Sequence, residues 1–100
     1  MNGATANGLA IKGITTGVEI AAITNAHTAF LERRKLSSWK LEVTAKGERP
    51  GVSVMSTDPD GGSHYLDEVS IGAGIGDEIA QMLEDHYHRY SRAHGAAKGE

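Results

Sequence analysis

One hundred residues, 39% hydrophobic and 23% charged, describe a single folded unit of ordinary globular balance and exclude the low-apolar, high-charge composition of disorder. The absence of cysteine excludes disulfides, thiolate zinc sites and cysteine nucleophiles, and no apolar run approaches the roughly 18–20 residues of a membrane span. Ten basic and 13 acidic residues leave a mildly acidic chain of net charge −3.

Met1–Gly8 is small, uncharged and without a basic stretch leading into an apolar one, so no secretory signal is expected, and a cytoplasmic location is the expectation. Leu9, Ile11 and Ile14 form a short apolar stretch that reads equally as an edge strand or an extended lead-in. Residues 1–15 are therefore taken as a flexible lead-in, 16–95 as the domain and 96–100 as a tail. From Thr16 the period changes. Thr16-Gly17-Val18-Glu19 has the spacing of a capping box, in which threonine and glutamate side chains satisfy each other's backbone amides. Val18, Ala21, Ala22, Ala26, Ala29 and Phe30, with an adjacent row of Ile20, Ile23, His27 and Leu31, predict a helix over about Val18–Leu36. Arg33, Arg34 and Lys35 suit its negative C-terminal pole, and its many alanines predict a close approach to whatever it packs on.

Ser38–Ala45 switches to a period of two, with Trp39, Leu41, Val43 and Ala45 on one face and Lys40, Glu42 and Thr44 on the other. A Pro-Gly turn leads to a second strand, Val52–Ser56, with Val52 and Val54 inward. The Thr57–Gly62 turn leads to a third, Ser63–Ile71, with Tyr65, Val69 and Ile71 on one face. Connections this short require antiparallel pairing. After Gly72-Ala73-Gly74, the stripe Ile75, Ile79, Met82, Leu83, His86, Tyr87 and Tyr90 predicts a last amphipathic helix that stops near Gly95. The expected fold is a two-layer α+β sandwich of order α-β-β-β-α, with both helices on one face of a three-stranded meander. Lys40, Glu42, Thr44, Ser53, His64 and Glu68 are expected on the open face.

This order resembles the double-stranded-RNA-binding domain over about Val18–His94. In that family the last helix opens with phosphate-gripping lysines. Here Ile75-Gly76-Asp77-Glu78-Ile79 stands in their place, and Ser37–Ser70 carries three basic and six acidic residues. Only the fold is implied, no functional residue carries over, and no direct nucleic-acid partner is expected.

Chemical motifs are sparse. Gly72-x-Gly74-x-Gly76 lacks both the dinucleotide and the P-loop pattern and reads as a strand-to-helix joint. Asp58-x-Asp60-Gly61-Gly62 lacks the later oxygen ligands of a calcium loop and reads as a hairpin turn. His86, His88 and His94 cluster near the C-terminus, and a metal site there needs a further imidazole from His27 or His64. No nucleophile elbow is visible, and no catalytic residue, cofactor or metal ligand is assigned.

The expectation is a small acidic non-enzymatic module that binds another protein, one with a basic surface. Glu42, Glu48, Asp58, Asp60, Asp67 and Glu68 are its candidate partner-binding residues. Compact, acidic, cysteine-free chains of this size are common among proteins of phages and mobile elements, some of which inhibit host complexes such as CRISPR effectors by occupying a basic, nucleic-acid-binding surface. The alternatives are a homo-oligomeric assembly subunit, a homodimer for instance, using Trp39, Met82, Tyr87 and Tyr90, and a metal-binding protein using the histidine cluster. No membrane partner is expected.

Overall fold

The computed structural model of the protein describes residues 5–6, 8–14, 17–45, 51–70, 72 and 74–95, apart from the side chains of 5, 6, 66–68, 70, 94 and 95. Two strands, β1 (Thr5–Ala6) and β2 (Leu9–Lys12), precede the helix α1 (Gly17–Arg34). Then follow β3 (Lys40–Ala45), β4 (Gly51–Thr57), β5 (Ser63–Ser70) and the helix α2 (Ile75–Tyr90), which continues into a π-helical turn at Ser91–Gly95. The α-β-β-β-α order is present from α1 to α2, within an α+β body of one sheet layer and one helix layer. No helix among the described residues is long and apolar enough to cross a membrane.

The sheet order is β1-β2-β3-β4-β5, antiparallel at every step except β2 against β3, which is parallel. Parallel neighbours need a long crossover, and α1 with its 18 residues supplies it. The three-stranded meander is thus extended by a β2-α1-β3 unit. A lead-in through residue 15 gives way, over residues 9–12, to an internal strand with Leu9 opposite Leu41 and Ile11 opposite Val43. Leu9 and Ile11 are both 3% exposed. Burying such side chains contributes roughly 1.5–3 kcal/mol each, so β2 belongs to the core.

The core lies between the helices and one sheet face. The sheet contributes Leu9, Ile11, Leu41, Val43, Val52, Val54 and Val69, and Trp39 enters from just before β3. α2 contributes the predicted stripe, with Ile75, Ile79, Met82, Leu83 and His86 buried and Tyr87 and Tyr90 partly so. On α1 the buried residues are Ile23, His27, Phe30 and Leu31, while Val18, expected in the packed row, is 69% exposed. Thr16, the other half of the capping box, lies outside the described residues. The alanines do mark a close approach: a Cβ added at Gly76 would stand 3.2 Å from the Ala22 carbonyl oxygen. α1 ends with Lys35 in the left-handed region, φ 56°, and the Leu36 amide donating to the Leu31 carbonyl at 2.8 Å. That six-to-one bond is the Schellman ending, with lysine where glycine is usual.

β5 departs from strict alternation. Val52 pairs with Val69 but Val54 pairs with Leu66, so Asp67 and Glu68 together face Ser53 across a bulge. One extra residue reverses the parity of everything on the turn side of it. Tyr65, expected on the core face with Val69, therefore lies on the open face opposite Met55. His64, expected on the open face, turns toward the helices opposite Ser56. Ile71 lies outside the described residues.

Gly13 follows β2 with φ 78°, and a Cβ there would come within 2.9 Å of the Ala45 Cβ. Gly61 in the β4–β5 turn has φ 92° but open space around it. Gly61→Ala is expected to cost about 1 kcal/mol from backbone conformation alone. Gly13→Ala should cost at least about 2 kcal/mol, because strain and overlap coincide. Urea denaturation of the two variants checks this, and equal losses would remove the packing role assigned to Gly13.

Candidate functional site

Trp39 has no exposed surface and is ringed by aromatic edges: Phe30 at 5.2 Å between centroids, His86 at 4.9 Å and Tyr90 at 5.4 Å. An indole N–H in such a place must find an acceptor. Trp39 Nε1–H donates to Ser56 Oγ at 2.7 Å. Ser56 shares the inward parity of Val52 and Val54, and it too is fully buried. Its oxygen stands 2.8 Å from His86 Nδ1, and His86 Nε2 stands 3.3 Å from Asp58 Oδ2. Asp58 Oδ1 accepts the amides of Asp60 and Gly62, each at 2.9 Å, which builds the predicted hairpin turn. On the other side, His27 Nε2 lies 2.7 Å from the Trp39 carbonyl oxygen.

The donors fix the protons. Indole gives only, a carboxylate takes only, so the chain has one direction. The Ser56 hydroxyl, accepting from Trp39, donates to His86 Nδ1. The His86 proton then sits on Nε2, toward Asp58. A carbonyl likewise requires the proton of His27 on Nε2. Both imidazoles are held below their ordinary value. For His86 the main cause is burial, opposed by hydrogen bonding and charge from Asp58 and reinforced by His64 and Arg89. For His27 it is burial, opposed by its bond to the Trp39 carbonyl. His64 is lowered by burial and by Arg89, with Asp85 acting in the other direction. A folded state that resists protonation is favoured above the ordinary imidazole value of about 6.5, and that contribution is lost as pH falls below it.

Serine, histidine and aspartate in a row have the composition of a hydrolytic triad. The geometry does not equip them for it. Ser56 is 0% exposed, and its oxygen accepts the buried indole N–H of Trp39. Serine and carboxylate also address the imidazole through the opposite nitrogens from those of the usual triad. In this packing the three residues tie strand, turn and helix together. Ser56 was detectable in the sequence from the even parity of Val52 and Val54. Its partner His86, 30 residues away, stood out only as part of a helix stripe and of the C-terminal histidine cluster.

Of the six predicted partner-binding carboxylates, the three with described side chains, Glu42, Asp58 and Asp60, do not share one surface. Glu42 lies on the open face and pairs with Lys12 at 3.0 Å. Asp58 is buried and committed to His86 and the turn, so it presents no charge outward, contrary to expectation. Asp60 is exposed and its carboxylate engages the Tyr90 hydroxyl. Asp67 and Glu68 fall on the β5 bulge with side chains outside the described residues, as is Glu48 altogether. The oligomer reading loses two of its anchors, since Trp39 and Met82 are inside the monomer core. His86 points inward while His88 is exposed, and the side chain of His94 is outside the described residues. Among the described residues no group of three or more histidine, aspartate or glutamate side chains is placed to hold a metal ion.

Two further features were not anticipated. Glu84 takes two guanidinium groups, Arg33 at 2.6 Å and Arg34 at 2.5 Å, and Arg34 also lies over the Tyr87 ring at 4.6 Å. Burial alone would raise the Glu84 carboxyl, but the bonds and charges of Arg34 and Arg33 hold it below the ordinary range. On the open sheet face Glu42, Thr44, Ser53, Met55 and Tyr65 border a shallow depression of about 250 Å³. Tyr65 is 50% exposed there, its hydroxyl 3.0 Å from Ser53 Oγ.

Ser56→Ala leaves the indole N–H and His86 Nδ1 without partners and is expected to cost about 2–3 kcal/mol. Tyr65→Phe, which removes an exposed hydroxyl bond, should stay within about 0.5 kcal/mol. Chemical denaturation compares them, and similar small losses would show that the buried relay does not hold the fold.

No family model, curated protein or solved structure matches this chain, so its own residues carry the functional reading.

Proposed function

We propose that the protein is a small non-enzymatic binding module that engages another protein through the open face of its sheet. The observation that carries this reading is Tyr65, a half-exposed aromatic beside Met55 over a shallow depression, on a face that no described helix covers. Large aromatic side chains that bring contact area at low entropic cost are common interface anchors. The bulge turns Tyr65 outward, whereas simple alternation would have buried it.

The partner is a protein surface that presents an apolar group to Tyr65 and Met55 and a cation toward Glu42. The excess of carboxylates over cations in Ser37–Ser70 favours a basic partner. Lys12 already faces Glu42, but both side chains are substantially exposed, 59% and 45%, and such pairs contribute only about 0–1 kcal/mol. A competing cation can therefore displace it at little cost. A basic surface that otherwise holds nucleic acid has the required chemistry, and an inhibitor occupying it is the form of action that fits an acidic module. Asp58 plays no part in this face.

Affinity capture from the native host, with bound proteins identified by mass spectrometry, tests the reading when run on matched variants. Tyr65→Ala and Met55→Lys should each weaken capture of a partner by about tenfold or more, and Glu42→Lys should weaken it most at low salt. Glu78→Lys, an exposed change on α2, should leave capture intact. A partner held equally by all four variants would overturn the sheet-face assignment. A stable dimer by light scattering that Tyr65→Ala dissolves would show that the face serves a second copy of the chain instead.

A further inference from the structure

We propose that the Ser56–His86–Asp58 relay is an acid-sensitive latch, which in its neutral form holds α2 to the β4–β5 hairpin and on protonation of His86 lets that hairpin end separate from the helix. This inference concerns the inner face of the hairpin and stands apart from the binding role of the outer one.

The groups that face His86 come from each element around it. β4 supplies Ser56, and the turn after it supplies Asp58. β5 supplies His64, whose ring centroid lies 5.9 Å from that of His86. α2 itself supplies Arg89, and the segment before β3 supplies Trp39. In the neutral state each hydrogen of the relay has an acceptor. A second proton must go on Nδ1, and the count then fails. The Ser56 oxygen has lone pairs for both Trp39 Nε1–H and His86 Nδ1–H, but the Ser56 hydroxyl hydrogen loses the acceptor it had. Ser56 has no exposed surface through which water could take over.

The neighbouring charges divide. Asp58 favours the cation, but Oδ1 is committed to the amides of Asp60 and Gly62, leaving Oδ2 at 3.3 Å. Arg89 opposes it. Its Nη1 donates to His64 Nδ1 at 3.1 Å, which keeps a guanidinium next to the imidazole pair. The least costly relief is local: the turn at 58–62 lies at the end of the sheet, and residues 59–62 are exposed. Parting turn and helix admits water to Ser56 and His86 without unpairing the rest of the sheet. The contact between Asp60 and Tyr90 spans the same gap and would open with it.

Trp39 is the single tryptophan of the chain, so its fluorescence reports on the latch directly. The full chain is titrated from about pH 8 to about pH 5 at constant ionic strength, recording tryptophan emission, far-ultraviolet circular dichroism and the His86 ring resonances. The expected result is a red shift of emission that follows His86 titration, with a midpoint below the ordinary imidazole value and the dichroism retained. Asp58→Asn, which removes the favouring charge, should move the midpoint to more acid pH. His64→Gln, which removes an opposing neighbour, should move it upward. Emission that stays constant while His86 titrates would overturn the proposal. So would emission and dichroism lost together, or a His64→Gln midpoint identical to that of the parent.

Discussion

A buried indole N–H must be given an acceptor, and the one given to Trp39 organises four parts of the chain. Its partner Ser56 makes β4 polar at one inward position, and the serine in turn requires an acceptor, which α2 supplies as His86. The far side of that imidazole requires another, which the hairpin turn supplies as Asp58. The carbonyl of the same tryptophan is met by His27 from α1. Each step follows from the rule that a polar group taken out of water without a partner costs more than the bond it forgoes. Around this line, Phe30, Tyr87 and Tyr90 close the apolar surface of the indole with edge-on or tilted contacts. The interior at this end is therefore a directed chain of hydrogen bonds inside an aromatic cage. Chains of this kind hold their members to one arrangement more strictly than hydrocarbon packing does.

The opposite layer joint works by other means. Between α1 and α2 the contact is close where Ala22 meets Gly76. Toward the other end of the pair, Glu84 lies between Arg33 and Arg34. The arginines remain 46% and 30% exposed, so water screens much of the attraction. Its value lies more in register than in energy: a planar carboxylate held by two guanidinium groups fixes how far one helix can slide along the other. The two helices are thus located by small-residue contact at one end and by charge at the other, while α2 is located on the sheet by His86.

What the sequence made legible follows from the range of each interaction. α2 was visible because its stripe repeats over four turns, and β3 because Trp39, Leu41 and Val43 alternate with Lys40, Glu42 and Thr44. Both signals are local. β2 was not decided because four residues give too little period, and its pairing with β3 is parallel and separated by a whole helix. Alternation keeps Val69 on the core face but puts Tyr65 and His64 on the wrong faces of β5, because it counts residues while a bulge spends two residues opposite one. Asp58 was misread for a different reason. Carboxylates in turns are normally solvated, and this one is buried only because a histidine 28 residues further on arrives beside it. No property of the Thr57–Gly62 segment contains that fact. Of the candidate site, the polar residues were visible one by one; their convergence was a property of the tertiary fold.

The same arrangement shows why composition alone does not define chemistry. Serine, imidazole and carboxylate in sequence form a nucleophile only when the hydroxyl oxygen has a free face and a reactant can reach it. Here Trp39 donates to the oxygen, and Ser56 has no exposed surface. The affinity of the His86 imidazole for a second proton is a property on which each neighbour bears. Burial, Arg89 and His64 lower it, and Asp58 raises it. A relay whose serine has no exposed surface still holds an imidazole able to take a proton, and the hairpin it holds carries Met55 and Tyr65 on its outer side. The proposed proton uptake on the inner face and the proposed contact on the outer face would therefore act on the same two strands, within one residue of each other along the chain at Met55–Ser56 and at His64–Tyr65.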